Sequence, residues 1–314
     1  MPSACPEPGP CPSCRARRMH IDPYIVLGSA IVGLLVGMTG AGGGALMTPM
    51  LILLFGVTPA AAISSDLVAA VVMRPFGSAV HLRARTVNLR LVRLMSTGSI
   101  PAAFLGAYLL HLLGNSKSAT HHIEIILGAA LLVGAAAMVL RFTLDRRAGK
   151  ARTDVIHEIE PRPLITIAIG IIGGVVVGMT SVGSGSLMIV LLLFAYPTIS
   201  AKQLVGTDLT QAVPLTVAAA TGALIFGHVK FGVTGSLIIG SVPAVLIGSM
   251  LSSTVPDKYI RPAIAFVIFA SGLKYIGVAT SALGWILVVV LLAGATFIVV
   301  QLRNTDAQPE TEHL

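Results

Sequence analysis

The apolar run from Tyr24 to Phe55 is too long and too rich in glycine to be a single helix. As one straight helix it would reach roughly 48 Å, against a hydrocarbon core of about 30 Å. At its centre lies Val36-Gly37-Met38-Thr39-Gly40-Ala41-Gly42-Gly43-Gly44-Ala45-Leu46-Met47. Each interior glycine costs a helix about 1 kcal/mol relative to Ala. A break there frees N–H and C=O groups that lipid cannot satisfy, so protein or a polar cavity must surround it. The pattern returns as Val177-Gly178-Met179-Thr180-Ser181-Val182-Gly183-Ser184-Gly185-Ser186-Leu187-Met188, displaced by 141 positions. Two discontinuous helices are expected, each presenting bare backbone groups to a solute.

With 55% hydrophobic and 11% charged residues and a mean hydropathy of +0.90, the chain is no soluble domain. Its few charges cluster between long apolar runs, the pattern of an all-α, polytopic helical membrane protein. The net charge of +8 falls in short loops without interleaved aromatics, which fits membrane topology rather than nucleic-acid binding. Cys5, Cys11 and Cys14 all lie among prolines near the start. Only His20 is close enough to join them, and the spacing matches no zinc pattern. A disordered tail is the expectation there, with no metal site and no cofactor.

Taken in order, residues 1–20 form that tail, 21–141 a first membrane unit, 142–163 a polar linker, and 164–280 a second membrane unit. A last span at 281–302 and a polar tail at 303–314 close the chain. The two units match beyond the glycines: at a displacement of 142, Asp66-Leu67 meets Asp208-Leu209, and Gly98, Pro101 and Gly106 meet Gly240, Pro243 and Gly248. Chance apolar similarity does not align Asp, Pro and Gly in this way, so an internal duplication is expected. If each broken run makes one net crossing, each unit has about four spans, for 8–9 crossings in all. The basic 83–93 loop, the linker and the N-terminal tail then share the cytoplasmic side. Four spans per unit would make the repeats parallel.

The chemistry is expected where the broken segments face each other. Candidate solute-binding residues are Thr39, Gly42, Gly43, Gly44, Ser65, Asp66 and Arg74 in the first unit, and Thr180, Gly183, Ser184, Gly185, Thr207, Asp208 and Gln211 in the second. A carboxylate inside a span costs about 2.5–3.5 kcal/mol on insertion scales and commonly marks a pathway or a proton site. Arg74 lies about 12 Å along the axis from Asp66, too far for an easy direct pair, so it needs another partner: an anionic solute, a carboxylate on another helix, or headgroups reached by snorkelling. His81, near the basic loop, and Lys274, near a helix end, read as interfacial. Gly98 and Gly106 read as helix-packing positions. No nucleophile, metalloprotease or nucleotide-binding pattern appears, which argues against an enzyme.

These residues together resemble the TauE/SafE sulfite exporter family over about 21–280. The resemblance rests on the Gly40–Gly44 run followed by Leu46 to Pro49, the polar triplet opening the next long helix, the Gly98-Pro101-Gly106 pattern and the repetition of the whole. It implies a secondary transporter of sulfite, sulfonates or related anions, often outward, in the cytoplasmic membrane. The chain departs from the family in two places. The second glycine motif is reduced to Gly183-Ser184-Gly185, and the triplets Ser64-Ser65-Asp66 and Gly206-Thr207-Asp208 end in Asp rather than a neutral residue. A protonatable Asp would let the site couple to protons. Expected partners are a small anionic solute and the bilayer, with assembly into a homo-oligomer left open. The rival readings are a carrier of another solute, such as a metal cation, and a membrane sensor or scaffold without flux.

Overall fold

The computed structural model describes residues 21–39, 43–113, 119–147, 161–185, 187–196, 199–251 and 257–278. The tail at 1–20 and the last span at 281–302 lie outside them. Among the described residues all regular structure is helical. The helices are α1 (Pro23–Thr39), α2 (Gly44–Leu53), α3 (Pro59–Arg83), α4 (Leu89–Leu113), α5 (Ala119–Arg147), α6 (Pro163–Thr180), α7 (Leu187–Ala195), α8 (Ala201–Phe226), α9 (Phe231–Leu251) and α10 (Asp257–Tyr275). Six of them are long and apolar enough to cross a membrane.

Local signals set the ends. Pro23, Pro59 and Pro163 each occupy the first position of a helix, where the missing N–H is not needed. The Asn88 side chain accepts from the N–H groups of Arg90 and Leu91 at the start of α4. Ser200 does the same for Gln203 at the start of α8, as helix N-caps do. α5 continues to Arg147, further than the span to 141 read from the sequence, so its last turn carries the first charges of the linker.

Both apolar runs are broken at their glycines, as expected, but the chain does not continue onward after the break. It turns back. The Tyr196 hydroxyl, at the end of α7, accepts from the Arg162 N–H at 2.7 Å and lies 2.6 Å from Thr166 Oγ1, both at the start of α6. In the first unit, a methyl placed on Gly28 of α1 would lie 2.8 Å from Met50 Sδ of α2. α1–α2 and α6–α7 are therefore helical hairpins, each with its second arm running back along the first. The decisive contacts join residues about 20 to 35 positions apart, which hydropathy along the chain does not register.

The long helices then fall into a fixed sense. α3 and α8 run antiparallel: Ser78 bonds Thr210 at 3.2 Å, while near the other end Ser65 accepts from the Lys230 N–H. α1 lies along α9 in the same direction, with Gly33 against Ser241 and Gly37 against Val245. α6 lies along α4 likewise, with Gly98 against Ile167 and Gly106 against Val175. In both seams a side chain in place of glycine would run into backbone of the neighbouring helix, so these are close helix–helix contacts. Two apolar cores result. One, around Met47, Leu51, Leu127 and Leu131, includes α1, α2 and α5; the other, around Met95, Val177, Met188 and Leu192, includes α4, α6 and α7.

Candidate functional site

The hairpin tips meet inside the bundle. Gly43 packs against Met73 Cε, and Met73 lies roughly 21 Å along α3 from Pro59, past the midpoint of that helix. Gly44, the first residue of α2, touches the backbone of Ser181, so closely that no side chain would fit. Ser181 ends α6 in the left-handed conformation, with φ 59° and ψ −2°. Gly183 and Gly185 follow with φ of 112° and 95°, values that favour glycine. The reduced second motif thus keeps glycine at two positions where the backbone needs it. Helix α2 opens at this junction, so its first N–H groups, which have no partner within the helix, point toward it.

Asp66 ties the two tips together. Its Oδ2 accepts from Ser181 Oγ at 2.7 Å and from Thr48 Oγ1 at 3.0 Å. One carboxylate oxygen therefore holds the tip of α6–α7 to the returning arm of α1–α2. Asp66 and Asp208 are each 1% exposed, so neither stands at a water interface as a simple helix-start aspartate would. Arg74, 6% exposed, lies within electrostatic range of both. Its Nη1 and Nη2 are buried and make no hydrogen bond among the described residues. A buried guanidinium that leaves both terminal nitrogens unpaired pays a large desolvation penalty. That geometry suits a ligand accepting from both nitrogens at once.

The remaining candidates divide. Ser184 Oγ and Gln211 Oε1 are buried and make no hydrogen bond among the described residues, while Gln211 Nε2 donates to Ser99 Oγ at 2.7 Å. Thr180 is spent on its own turn, donating to the Val176 carbonyl and accepting from the Val182 N–H. Ser65 and Thr207 are displaced from the site: Ser65 Oγ accepts from the Lys230 N–H before α9, and Thr207 Oγ1 from the Asn88 N–H before α4. They brace helix starts. Gly42 and the Thr39 side chain lie outside the described residues. His81 bonds Thr86 at the α3–α4 turn, and Lys274 sits in the last turn of α10. Among the described residues no three His, Cys, Asp or Glu converge as a metal site would require.

Thr48, Ser99 and Ser181 were not among the residues picked from sequence. Ser181 carried a signal: it stands where the first motif has Gly40, a polar side chain added at an otherwise glycine position. Thr48 and Ser99 carried none, since lone hydroxyls in apolar helices commonly bond their own backbone.

A family model described as "Sulfite exporter TauE/SafE" matches residues 25–275. A protein of Bacillus subtilis (strain 168) named "Probable membrane transporter protein YjnA" is 40% identical over 255 residues, 80% of this chain and 98% of that protein. A second from the same organism, "Probable membrane transporter protein YunE", is 26% identical over 226 residues, 66% of this chain and 79% of that protein. No solved structure matches the chain.

Proposed function

Because the chain belongs to the TauE/SafE family of multi-pass membrane transporters, we propose that it is a secondary carrier of small anions such as sulfite or organosulfonates. The solute is held where the two hairpin tips meet, in reach of Arg74. Movement is outward across the cytoplasmic membrane. The observation that carries this reading is the pair of buried Arg74 nitrogens without a hydrogen-bond partner among the described residues, one position along α3 from the Met73 that meets the tip glycine Gly43. Guanidinium and helix N-terminal N–H groups are the usual donors for an oxyanion.

The proposal includes an architecture of two inverted repeats. In support, Asp66 and Asp208 lie on antiparallel helices. The bonds Ser65–Lys230 and Thr207–Asn88 join positions related by the same displacement, each member of one pair standing 142 positions from its counterpart in the other. On this reading each half contributes one hairpin and three further helices as spans, α3–α5 in the first and α8–α10 in the second, with α6, itself long enough to cross, serving as a hairpin arm. The α3–α4 turn, with Arg83, Arg85 and Arg90, and the end of α5, with Arg146 and Arg147, fall on one side; the excess of arginine makes it the cytoplasm. The start of α1 is then extracytoplasmic, unlike the sequence-based orientation.

Counterflow in proteoliposomes tests the carrier. Labelled sulfite, or a labelled small sulfonate, should enter vesicles preloaded with the same unlabelled anion. Binding without exchange would instead support a sensor, and exchange of a divalent cation would support the cation carrier.

A further inference from the structure

A cleft away from the hairpin tips opens between the start of α3, the end of α4 and the turn from α8 to α9. Ser64, His111, Phe226, Gly227 and His228 line it together with small apolar side chains, and no carboxylate does. It measures about 310 Å³ counting the solvent at its mouth, and its enclosed end is only about the size of a water molecule. Ser64 is 1% exposed, and its Oγ makes no hydrogen bond among the described residues. Serines in helices commonly bond their own preceding turn; this one does not, so its hydroxyl is left for whatever enters. His228 is exposed, while His111 is half-buried with its ring 6.0 Å from that of Phe226.

The corner related to this one by the 142-position displacement shows what the cleft lacks. Ser64 corresponds there to Gly206, Ala223 to His81 and His228 to Thr86. His81 and Thr86 bond each other at 3.1 Å. They do so over Gly206, where an added methyl would lie 2.8 Å from Thr86 Oγ1 and 3.3 Å from His81 Nδ1. The chain fills that corner with its own imidazole. In the cleft Ala223 is too short to do the same, and both the space and the Ser64 hydroxyl stay open.

We propose that the cleft is an outer anion subsite. One oxygen of the anion seats on the Ser64 hydroxyl, and the His111 and His228 imidazoles donate at the mouth. This rests on the carrier reading for the identity of the anion and for which face is outer, and adds a second stop on its route. Hydroxyl and imidazole both offer hydrogen-bond donors, and the exposed Lys230 follows His228 by two positions. Two imidazoles fall short of a metal site, and among the described residues no third His, Cys, Asp or Glu joins them. Ser64 stands about 15 Å along α3 from Arg74, within an arc of about 80° that also holds Ser78, the residue bonded to α8. Between those levels Leu67, Ala219 and Ala220 belong to one buried apolar core, so the two sites are separate.

Histidine acylation by diethyl pyrocarbonate, mapped by mass spectrometry on the full chain in detergent, tests the subsite with methanesulfonate as the probe anion. Methanesulfonate should slow acylation of His111 and His228 but not of His121 and His122, and should still do so in Arg74→Gln protein. Ser64→Ala removes a hydroxyl that has no partner, so the protein should unfold at no lower temperature. The methanesulfonate concentration needed for protection should nevertheless rise about tenfold, the weight of one hydrogen bond to a charged group. Absence of protection in the wild type overturns the proposal, as does protection unchanged by Ser64→Ala. Protection lost in Arg74→Gln protein would trace to the tip site and overturns it too, as would protection by zinc ion in place of methanesulfonate. Protection without counterflow would keep the subsite and sink the carrier reading; counterflow without protection would do the reverse.

Discussion

Arg74 is an unusual residue to find enclosed by apolar helices, and its placement explains more of the site than any other side chain. It is carried on α3 next to Met73, which meets the tip glycine Gly43, and two carboxylates offset its charge at a distance without consuming its terminal donors. Replacing it by Gln removes the charge and the planar fork together. Anion affinity should fall at least tenfold, a difference of about 1.4 kcal/mol, by calorimetry or counterflow. Arg74→Lys keeps the charge but loses the two-pronged geometry, so an intermediate loss is expected. Asp66 has a second role as a tie. Ser181→Ala removes a hydrogen bond to a charged acceptor, a class worth roughly 1.5–3 kcal/mol. Thermal unfolding in detergent should therefore occur at lower temperature, and transport should slow even though Ser181 need not touch the solute.

Among the elements, the seams α1–α9 and α4–α6 decide whether the hairpins seat correctly. A methyl on Gly98 would strike the Ile167 carbonyl, which belongs to helix backbone and has little freedom to give way. Gly98→Ala should lower stability by about 1–3 kcal/mol, as overpacking does. Gly235→Ala in α9 is the control: nothing lies within 4 Å of the added methyl, so it should be neutral, or stabilise the helix by up to about 1 kcal/mol. Melting temperature and purified yield of the two variants check this pair. Much at this scale was legible in advance. Glycine runs located both breaks, and the recurring Gly-Pro-Gly pattern identified the helices that pack closest. The direction taken after each break was not legible. A run of this length reads the same whether it crosses or returns, and the distinction rests on Tyr196 reaching Thr166 and Gly28 accepting Met50. Ser65 and Thr207 misled for a related reason: being polar and next to Asp, they looked like site residues, yet their hydroxyls point to the starts of helices in the other half.

For the whole molecule, the account is of two half-structures facing opposite ways, each with a hairpin whose tip ends near the middle of the bundle. Alternating access then follows if the halves rock about the fixed tips, the mode known for inverted repeats. The Asp66 tie to Ser181 links the halves at the point where such motion pivots. The sequence-based orientation differed only in the broken runs: once these return, the basic turn after α3 and the end of α5 still share one side, but the start of α1 moves to the other. The most direct measurement is therefore the sidedness of the hairpin ends. In a variant lacking Cys5, Cys11 and Cys14, single cysteines at Asp22, Leu54 and Arg85 are labelled with a membrane-impermeant maleimide in intact cells and in inverted vesicles. The account predicts that positions 22 and 54 react from the same, outer face and position 85 only from the cytoplasmic face. Reaction of 22 and 54 from opposite faces would mean that the first glycine run crosses the membrane, and the meeting of the two tips would be lost with it.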